Sequence, residues 1–484
     1  MLDWVIIIVY IGALSLITLF SFGQLNLSYH YNRNKSRQSK PSMIGDWPTV
    51  TIQLPIYNEK HVVDRLIQSI VAFDYPSDKL DIQILDDSTD ETSDIIQYIL
   101  SNLSTKMEIN HIKRKDRTGY KAGALQHGLK ISNSEFIAIF DADFTPNPDF
   151  LKQTIPFFQD EHTGMVQTRW GHINEDFSLL TKLQAFGLNA HFTVEQSGRQ
   201  NVGSPINFNG TAGIWRKSCI EDAGGWEYDT LTEDLDLSYR AQLKGWKFKY
   251  LENITSPAEL PIVIPAIKSQ QFRWNKGAAE TARKTITKVL HSNLATRHKI
   301  RGLLHLCSST VFLYLLTASL FSIPMLYIKH NNPDLAIIFN LASVFVGGFI
   351  AIGIFYWTAS RSIKHKPLGY YLRHFPLYMI FSMGLALHNS IAIIEGFLGI
   401  KTPFIRTPKF NVTTNSKSVI KSSYVRRHVT PLTILEGLLA LYFVFGIYSA
   451  VLLNDYGLVF FHLMLVMGFG GVFLMSLKKL PNEG

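Results

Sequence analysis

Asp86-Asp87 and Asp141-Ala142-Asp143 each close a strand-like apolar run, Glu233, Asp234 and Asp236 stand between leucines where a helix begins, and Gln270-Gln271-Phe272-Arg273-Trp274 follows downstream. Two carboxylates one residue apart on a strand-end turn can jointly hold a divalent cation, and Mg²⁺ usually takes one or two protein carboxylates together with substrate phosphate oxygens. A carboxylate opposite a leaving group can serve as general base. Arg offers planar donors to a diphosphate, and an indole offers a face on which a sugar ring stacks. Taken singly, each feature has a plainer explanation. Acids favour a first helical turn, Asp favours turns such as the one running into Thr145-Pro146-Asn147-Pro148, and an Arg-Trp pair suits a helix at a membrane surface. The four signatures in one order are hard to obtain by chance.

Further candidates lie between them. Arg114, Lys115, Arg117 and Lys121 form a basic stretch that could neutralise phosphates, and Lys121, flanked by Gly119 and Gly123, is the one whose backbone can approach a ligand closely. Phe208-Asn209-Gly210-Thr211-Ala212-Gly213 is a small-residue turn that can pass close to a substrate or serve as a tight turn in the core.

Such residues need a scaffold. Residues 49–55, 80–85, 107–112 and 135–140 alternate or run apolar as strands do, with helical patterns such as 61–72 between them. Strands alternating with helices predict an α/β domain with a mostly parallel sheet. Ligands of such sheets bind beyond the carboxyl ends of the strands, where Tyr57-Asn58-Glu59, Asp86-Asp87 and Asp141-Ala142-Asp143 fall.

The 484 residues are 46% hydrophobic and 12% aromatic, more than a soluble domain needs. The net charge of +9 comes from basic residues beside apolar segments, which argues for membrane topology and against nucleic acid. Cys219 and Cys307 alone exclude a disulfide framework and a cysteine zinc cluster, in keeping with a reducing cytoplasm.

The apolar runs set the expected domains: residues 1–46 an uncleaved anchor (4–22) with a basic flank carrying Arg33, Lys35, Arg37 and Lys40; 47–275 a cytosolic catalytic domain; 276–302 an interfacial amphipathic region; 303–484 a membrane region. In the last, 303–327, 335–357, 435–453 and 456–477 are long enough to span, while 375–400 contains Pro376, His388, Asn389 and Glu395 and has basic segments on both sides. One crossing cannot place both flanks inside, so 375–400 is expected to lie in the membrane plane or re-enter. The expectation is a multi-pass integral membrane protein with five spans, amino terminus outside and carboxyl terminus inside at Lys478-Lys479.

With these motifs in view, the chain resembles the inverting, GT-A-fold family 2 glycosyltransferases of the cellulose-synthase superfamily, and Phe208–Arg216, Gly225-Trp226 and Asp229–Trp246 especially resemble the mannan and glucomannan synthase-like branch. The resemblance covers essentially the whole chain. It implies that Asp86 and Asp87 contact the nucleoside, Asp141 and Asp143 the metal (Mg²⁺ or Mn²⁺) and diphosphate, and Gln270 and Arg273 the diphosphate, with Lys121 beside them on the donor side. It makes Asp234 the base and puts Trp274, with Glu233, on the acceptor side; spacing alone does not choose Asp234 over Glu233 or Asp236. Residues 401–429 resemble the gating loop of cellulose synthases, or else form a basic linker held to anionic lipid. The implied partners are a nucleotide-sugar donor, UDP-glucose or GDP-mannose, and membrane lipid. The acceptor is a growing β-linked glycan or, as in lipid glucosyltransferases, a lipid such as diacylglycerol or ceramide. A nucleotide-sugar-binding membrane protein without catalysis is the remaining alternative. Five spans are few for a pore from one chain, so a homodimer or secretion partner is the expectation for translocation.

Overall fold

A computed structural model describes residues 1–34, 45–335, 342–403, 406–413 and 429–477. The α/β domain is built on a seven-stranded sheet: β1 (Val50–Ile56), β2 (Leu80–Asp86), β3 (Glu108–Lys113), β4 (Phe136–Ile139), β5 (Thr163–His172), β6 (Gly213–Arg216) and β7 (Lys247–Ala258), in the order β3-β2-β1-β4-β6-β5-β7. Strands β1 to β4 lie where the apolar runs place them and pair in parallel. β5 and β7 are also parallel, whereas β6 runs antiparallel between β4 and β5. The sheet is thus mixed and mostly parallel, and both faces are covered. Ile52, Leu54, Leu66 and Ile70 pack on one side; Leu125, Ile137, Trp215 and Tyr250 pack on the other. Burial on two faces is why β4 reads as a continuous apolar run, while β1 alternates Val50, Ile52, Leu54 and Ile56 with the buried polar Thr51 and Gln53. Pro55 is tolerated there because pairing with β4 ends at Gln53.

The order brings the carboxyl ends of β1, β2 and β4 side by side at the middle of the sheet. Tyr57-Asn58-Glu59, Asp87 and Asp141 therefore emerge along one edge, the position at which open α/β sheets hold ligands.

The amino-terminal helix, Leu2–Asn34, continues well past the apolar run 4–22. Its polar continuation docks on the catalytic domain: Gln24 donates to Glu195 at 2.6 Å and the Tyr31 hydroxyl donates to Glu252 at 2.7 Å. Lys35, Arg37 and Lys40 of the expected basic flank lie outside the described residues. The Gln270–Trp274 motif sits inside a single 28-residue helix, Ile264–His291, which crosses the expected 275/276 boundary.

Helices Leu2–Arg33, Ser308–Asn331, Pro431–Leu452 and Tyr456–Leu477 are each long and apolar enough to cross a membrane. The run 335–357 begins partly outside the described residues and ends in the helix Val346–Ile363. The stretch 375–400 belongs to two helices, Pro367–Gly384 and Ala386–Leu398, bent by 52°. The second packs backbone to backbone on Ile264–His291: a Cβ at Gly396 would lie 2.6 Å from the Lys276 carbonyl oxygen, so only glycine permits the approach. Within 401–429, residues 404–405 and 414–428 lie outside the described residues, among them Lys417, Lys421, Arg426 and Arg427, as do Lys478 and Lys479.

Candidate active site

A cleft opens beyond the carboxyl edge of the sheet, between it, the start of helix Glu233–Leu243, the helix Ile264–His291 and the segment 406–410. It gathers Asp87, Lys121, Asp141, Asp143, Glu233, Asp234, Gln270, Arg273 and Trp274, residues spread over nearly 190 positions of sequence.

Helix Tyr120–Ile131 delivers Lys121 in its first turn, where the ammonium lies 2.5 Å from Asp141 Oδ1 and donates to the Gly210 carbonyl oxygen at 2.9 Å. Burial works against that ammonium, but Asp141, Glu233 and Asp234 outweigh it and raise its pKa. Gly210 has φ of +82°, and a Cβ there would come within 3.1 Å of Asp234 Oδ2 and 3.5 Å of Lys121 Nζ. The turn 208–213 therefore passes close to the chemistry, as its small residues allow.

Asp234 lies in the first turn of its helix and accepts from the Leu235 N–H at 2.8 Å. Burial first, then the neighbouring Glu233, pushes its carboxyl up to about 7. Glu233 is raised too, again mainly by burial. A carboxylate poised near neutrality suits a general base.

Asp143 faces Lys409, whose ammonium is 2.6 Å from its Oδ2. Lys409 also donates to the Glu259 carbonyl oxygen at 3.2 Å, and the Phe410 N–H donates to the Glu259 carboxylate at 2.8 Å. Arg406 grips Glu59 through Nε at 2.8 Å, and Arg273 donates to Thr407 at 3.0 Å. Burial raises the Glu59 carboxyl to about 7 despite Arg406. Residues 406–410 thus roof the cleft through contacts to four separate parts of the domain. Lys276, fully buried, ties the start of this segment down through Thr402 at 2.8 Å and Glu395 at 3.1 Å.

Asp141 and Asp143 offer hard oxygen donors, and each already holds an ammonium, so the place selects cations. This donor set fits Mg²⁺ or Mn²⁺ shared with phosphate oxygens. Glu227, Asp229 and Asp236, the compact carboxylate group among the described residues, hold the Lys284 ammonium at 2.6 to 3.0 Å and form an ion-pair network outside the cleft lining.

Asp86 and Asp87 part company. Asp87 lines the cleft, gripped by Arg114 through Nε at 2.9 Å. The Asp86 side chain is fully buried, bonded to His111 at 2.9 Å, Ser93 at 2.5 Å and the Ser88 N–H at 2.9 Å, and lies outside the cleft lining. Side-chain direction alternates along a strand, so adjacent carboxylates at a strand end face opposite ways. Sequence reasoning named Arg117 only as part of a basic stretch; its guanidinium stacks 3.2 Å from the Tyr57 ring centroid at the cleft wall. Sequence reasoning missed Trp170, His172 and Glu259, which line the cleft from the carboxyl ends of β5 and β7. Those strands carry no paired-acid signal. Arg406 and Lys409 were legible only as basic residues of the 401–429 stretch.

The profile of Glycosyl transferase family 2 matches residues 51–222. The chain is 34% identical over 403 residues to glucomannan 4-beta-mannosyltransferase 1 of Oryza sativa subsp. japonica, covering 78% of this chain and 73% of that protein. With glucomannan 4-beta-mannosyltransferase 2 of Arabidopsis thaliana the identity is 42% over 253 residues, 51% of this chain and 47% of that protein. Among solved structures, the mannosyltransferase PcManGT from Pyrobaculum calidifontis, in complex with GDP-Man and Mn²⁺, is similar at a TM-score of 0.53 and 18% identity, covering 81% of this chain and 99% of the other. At that identity the likeness speaks for the GT-A fold.

Proposed function

The chain belongs to glycosyltransferase family 2, among the glucomannan 4-β-mannosyltransferases of the cellulose-synthase superfamily, and from that premise we propose that it transfers mannose from GDP-mannose to a growing β-1,4-linked mannan or glucomannan. The observation that carries this reading is the 403-residue likeness to a 4-β-mannosyltransferase, within which the acid and Gln-x-x-Arg-Trp motifs converge on one cleft. UDP-glucose is the second donor to be tried, since glucomannan contains both sugars.

The donor diphosphate lies over Asp141 and Asp143, with Lys121, Gln270 and Arg273 around it and Asp87 toward the nucleoside. Asp141 and Asp143 would hold a divalent cation, which would supply positive charge to balance that of the departing diphosphate. Asp234 accepts the proton of the acceptor hydroxyl as that oxygen attacks the anomeric carbon, and the bond to the diphosphate breaks in the same displacement. Attack from the side opposite the leaving group turns an α-linked donor into a β-linkage. Trp274 offers the acceptor a stacking face, and Glu233 lies beside it.

The protein is an integral membrane protein on the strength of its long apolar helices. We place its catalytic domain in the cytoplasm, where nucleotide sugars are supplied. The spans are the helices that start at Leu2, Ser308, Pro431 and Tyr456 together with the run 335–357, and the stretch 375–400 lies in the membrane plane, because basic residues flank it on both sides.

The test is product analysis after supplying labelled GDP-mannose and UDP-glucose, separately and together, to purified protein in lipid. A ladder released by β-mannanase is expected. A single monoglycosylated lipid, formed at the same rate with or without oligosaccharide primers, would overturn the reading.

A further inference from the structure

The helix Leu179–Ala190 passes through a π-helical turn, His191–Glu195, before the helix Gln196–Asn201. Such turns are uncommon and recur at functional sites. Here the turn points His191 toward the cleft wall. The His191 Nδ1 lies 2.6 Å from Glu195, and its Nε2 lies 2.9 Å from the Asn209 carboxamide nitrogen. An ionised carboxylate only accepts, so the ring proton is on Nδ1 and the Nε2 lone pair accepts from Asn209. Asn209 Oδ1 accepts from Gln196 at 2.6 Å, which specifies the other end of the same carboxamide. Burial alone would raise the Glu195 carboxyl, but Arg199 and His191 outweigh it and hold it down at about 2. The anion that orients the ring therefore persists at neutral pH. Glu195 also accepts from Gln24, on the amino-terminal helix, at 2.6 Å.

We propose that Glu195 and His191 form a positioning pair that sets the Asn209 carboxamide on the acceptor side of the cleft, and that Gln24 extends this pair into the amino-terminal membrane helix. Asn209 lines the cleft and directly precedes Gly210, the residue whose backbone abuts Asp234. A carboxamide is nearly symmetric in shape and can turn end for end. With His191 accepting one N–H and Gln196 donating to the oxygen, one N–H remains for a sugar hydroxyl. The acceptor assignment rests on Asp234 being the base. It gives the membrane anchor a hand in holding the glycan end.

The full-length enzyme in nanodiscs separates the two readings. Transfer by the wild type from GDP-mannose to a short β-mannan oligosaccharide tests the proposed function on its own. The variants are then compared by acceptor KM, donor KM and nucleotide release without acceptor. His191→Ala and Asn209→Ala should each raise acceptor KM about tenfold, a coupling typical of residues in one hydrogen-bond network. Donor KM and acceptor-free nucleotide release should stay within about twofold of wild type on the same grounds. The double variant should be no worse than Asn209→Ala alone, because His191 acts through Asn209. His191→Gln, which can still bridge an acceptor and a donor, should recover most of the loss, and Gln24→Leu should move acceptor KM in the same direction by less. Additive losses in the double variant, or donor and acceptor constants worsening together, would overturn the proposal. If His191→Ala does not fold, the cycle is run with Glu195→Gln against Asn209→Ala, with additivity again the refuting outcome.

Discussion

The Lys409 ammonium lies 2.6 Å from Asp143 Oδ2, bridging residues 266 positions apart across the mouth of the cleft. A cation entering with the donor diphosphate meets a carboxylate that already has a partner. On the proposed mechanism Lys409 would yield it, and the incoming diphosphate would offer the ammonium a new partner. Lys409→Ala should therefore lower the metal concentration giving half-maximal activity and raise donor KM, each by about tenfold, the worth of one charge-assisted hydrogen bond. Metal titration at saturating donor and donor titration at saturating metal check the two halves. A metal titration that does not move would mean that Lys409 and the cation do not share Asp143.

Metal removal is the companion experiment. Excess chelator should abolish transfer, Mg²⁺ or Mn²⁺ should restore it, and Asp143→Ala should stay inactive under every condition, because it removes one of the two carboxylates proposed to hold the cation. Full turnover in chelator would refute the metal assignment.

Asp234→Asn should retain donor binding in the presence of metal and lose about 10² to 10⁴ of the transfer rate, since an amide cannot take the hydroxyl proton. The pH profile carries the same information. Asp234 is raised to about 7, mainly by burial and then by Glu233. The base must be deprotonated to act, so kcat/KM should fall as pH drops below about 7, tenfold per unit. Glu233→Gln removes the neighbouring negative charge that opposes ionisation, and the acidic limb should move to lower pH. A limb that stays in place or moves upward would separate the two carboxylates.

Trp274 lines the cleft on the helix Ile264–His291. Trp274→Ala should shorten the product ladder while leaving donor binding within about twofold, because stacking on an indole holds the glycan and not the nucleotide. Gel or mass analysis of chain length, paired with a nucleotide-binding assay, reads both. Unchanged chain length would remove Trp274 from the acceptor path.

The sequence by itself determined the α/β class, the first four strands and the edge at which the acids gather. These follow from local rules: a doubly covered parallel strand is a short apolar run, and the carboxyl ends of such strands face the ligand. It also determined the long apolar helices, because hydrocarbon thickness dictates their length. Only the tertiary structure decided that Asp87 faces the cleft while Asp86 is spent on His111, Ser93 and Ser88, since facing depends on where a strand ends relative to its neighbours. The pairings of Lys409 with Asp143 and Arg406 with Glu59 were equally out of reach. They depend on a chain that leaves the domain through the 264–291 helix, passes the membrane helices and returns, and no periodicity or spacing encodes a contact made by such a return. The same holds for the polar end of the amino-terminal helix. Composition marks it as a flank, and only the fold brings Gln24 to Glu195, where a buried anion needs donors.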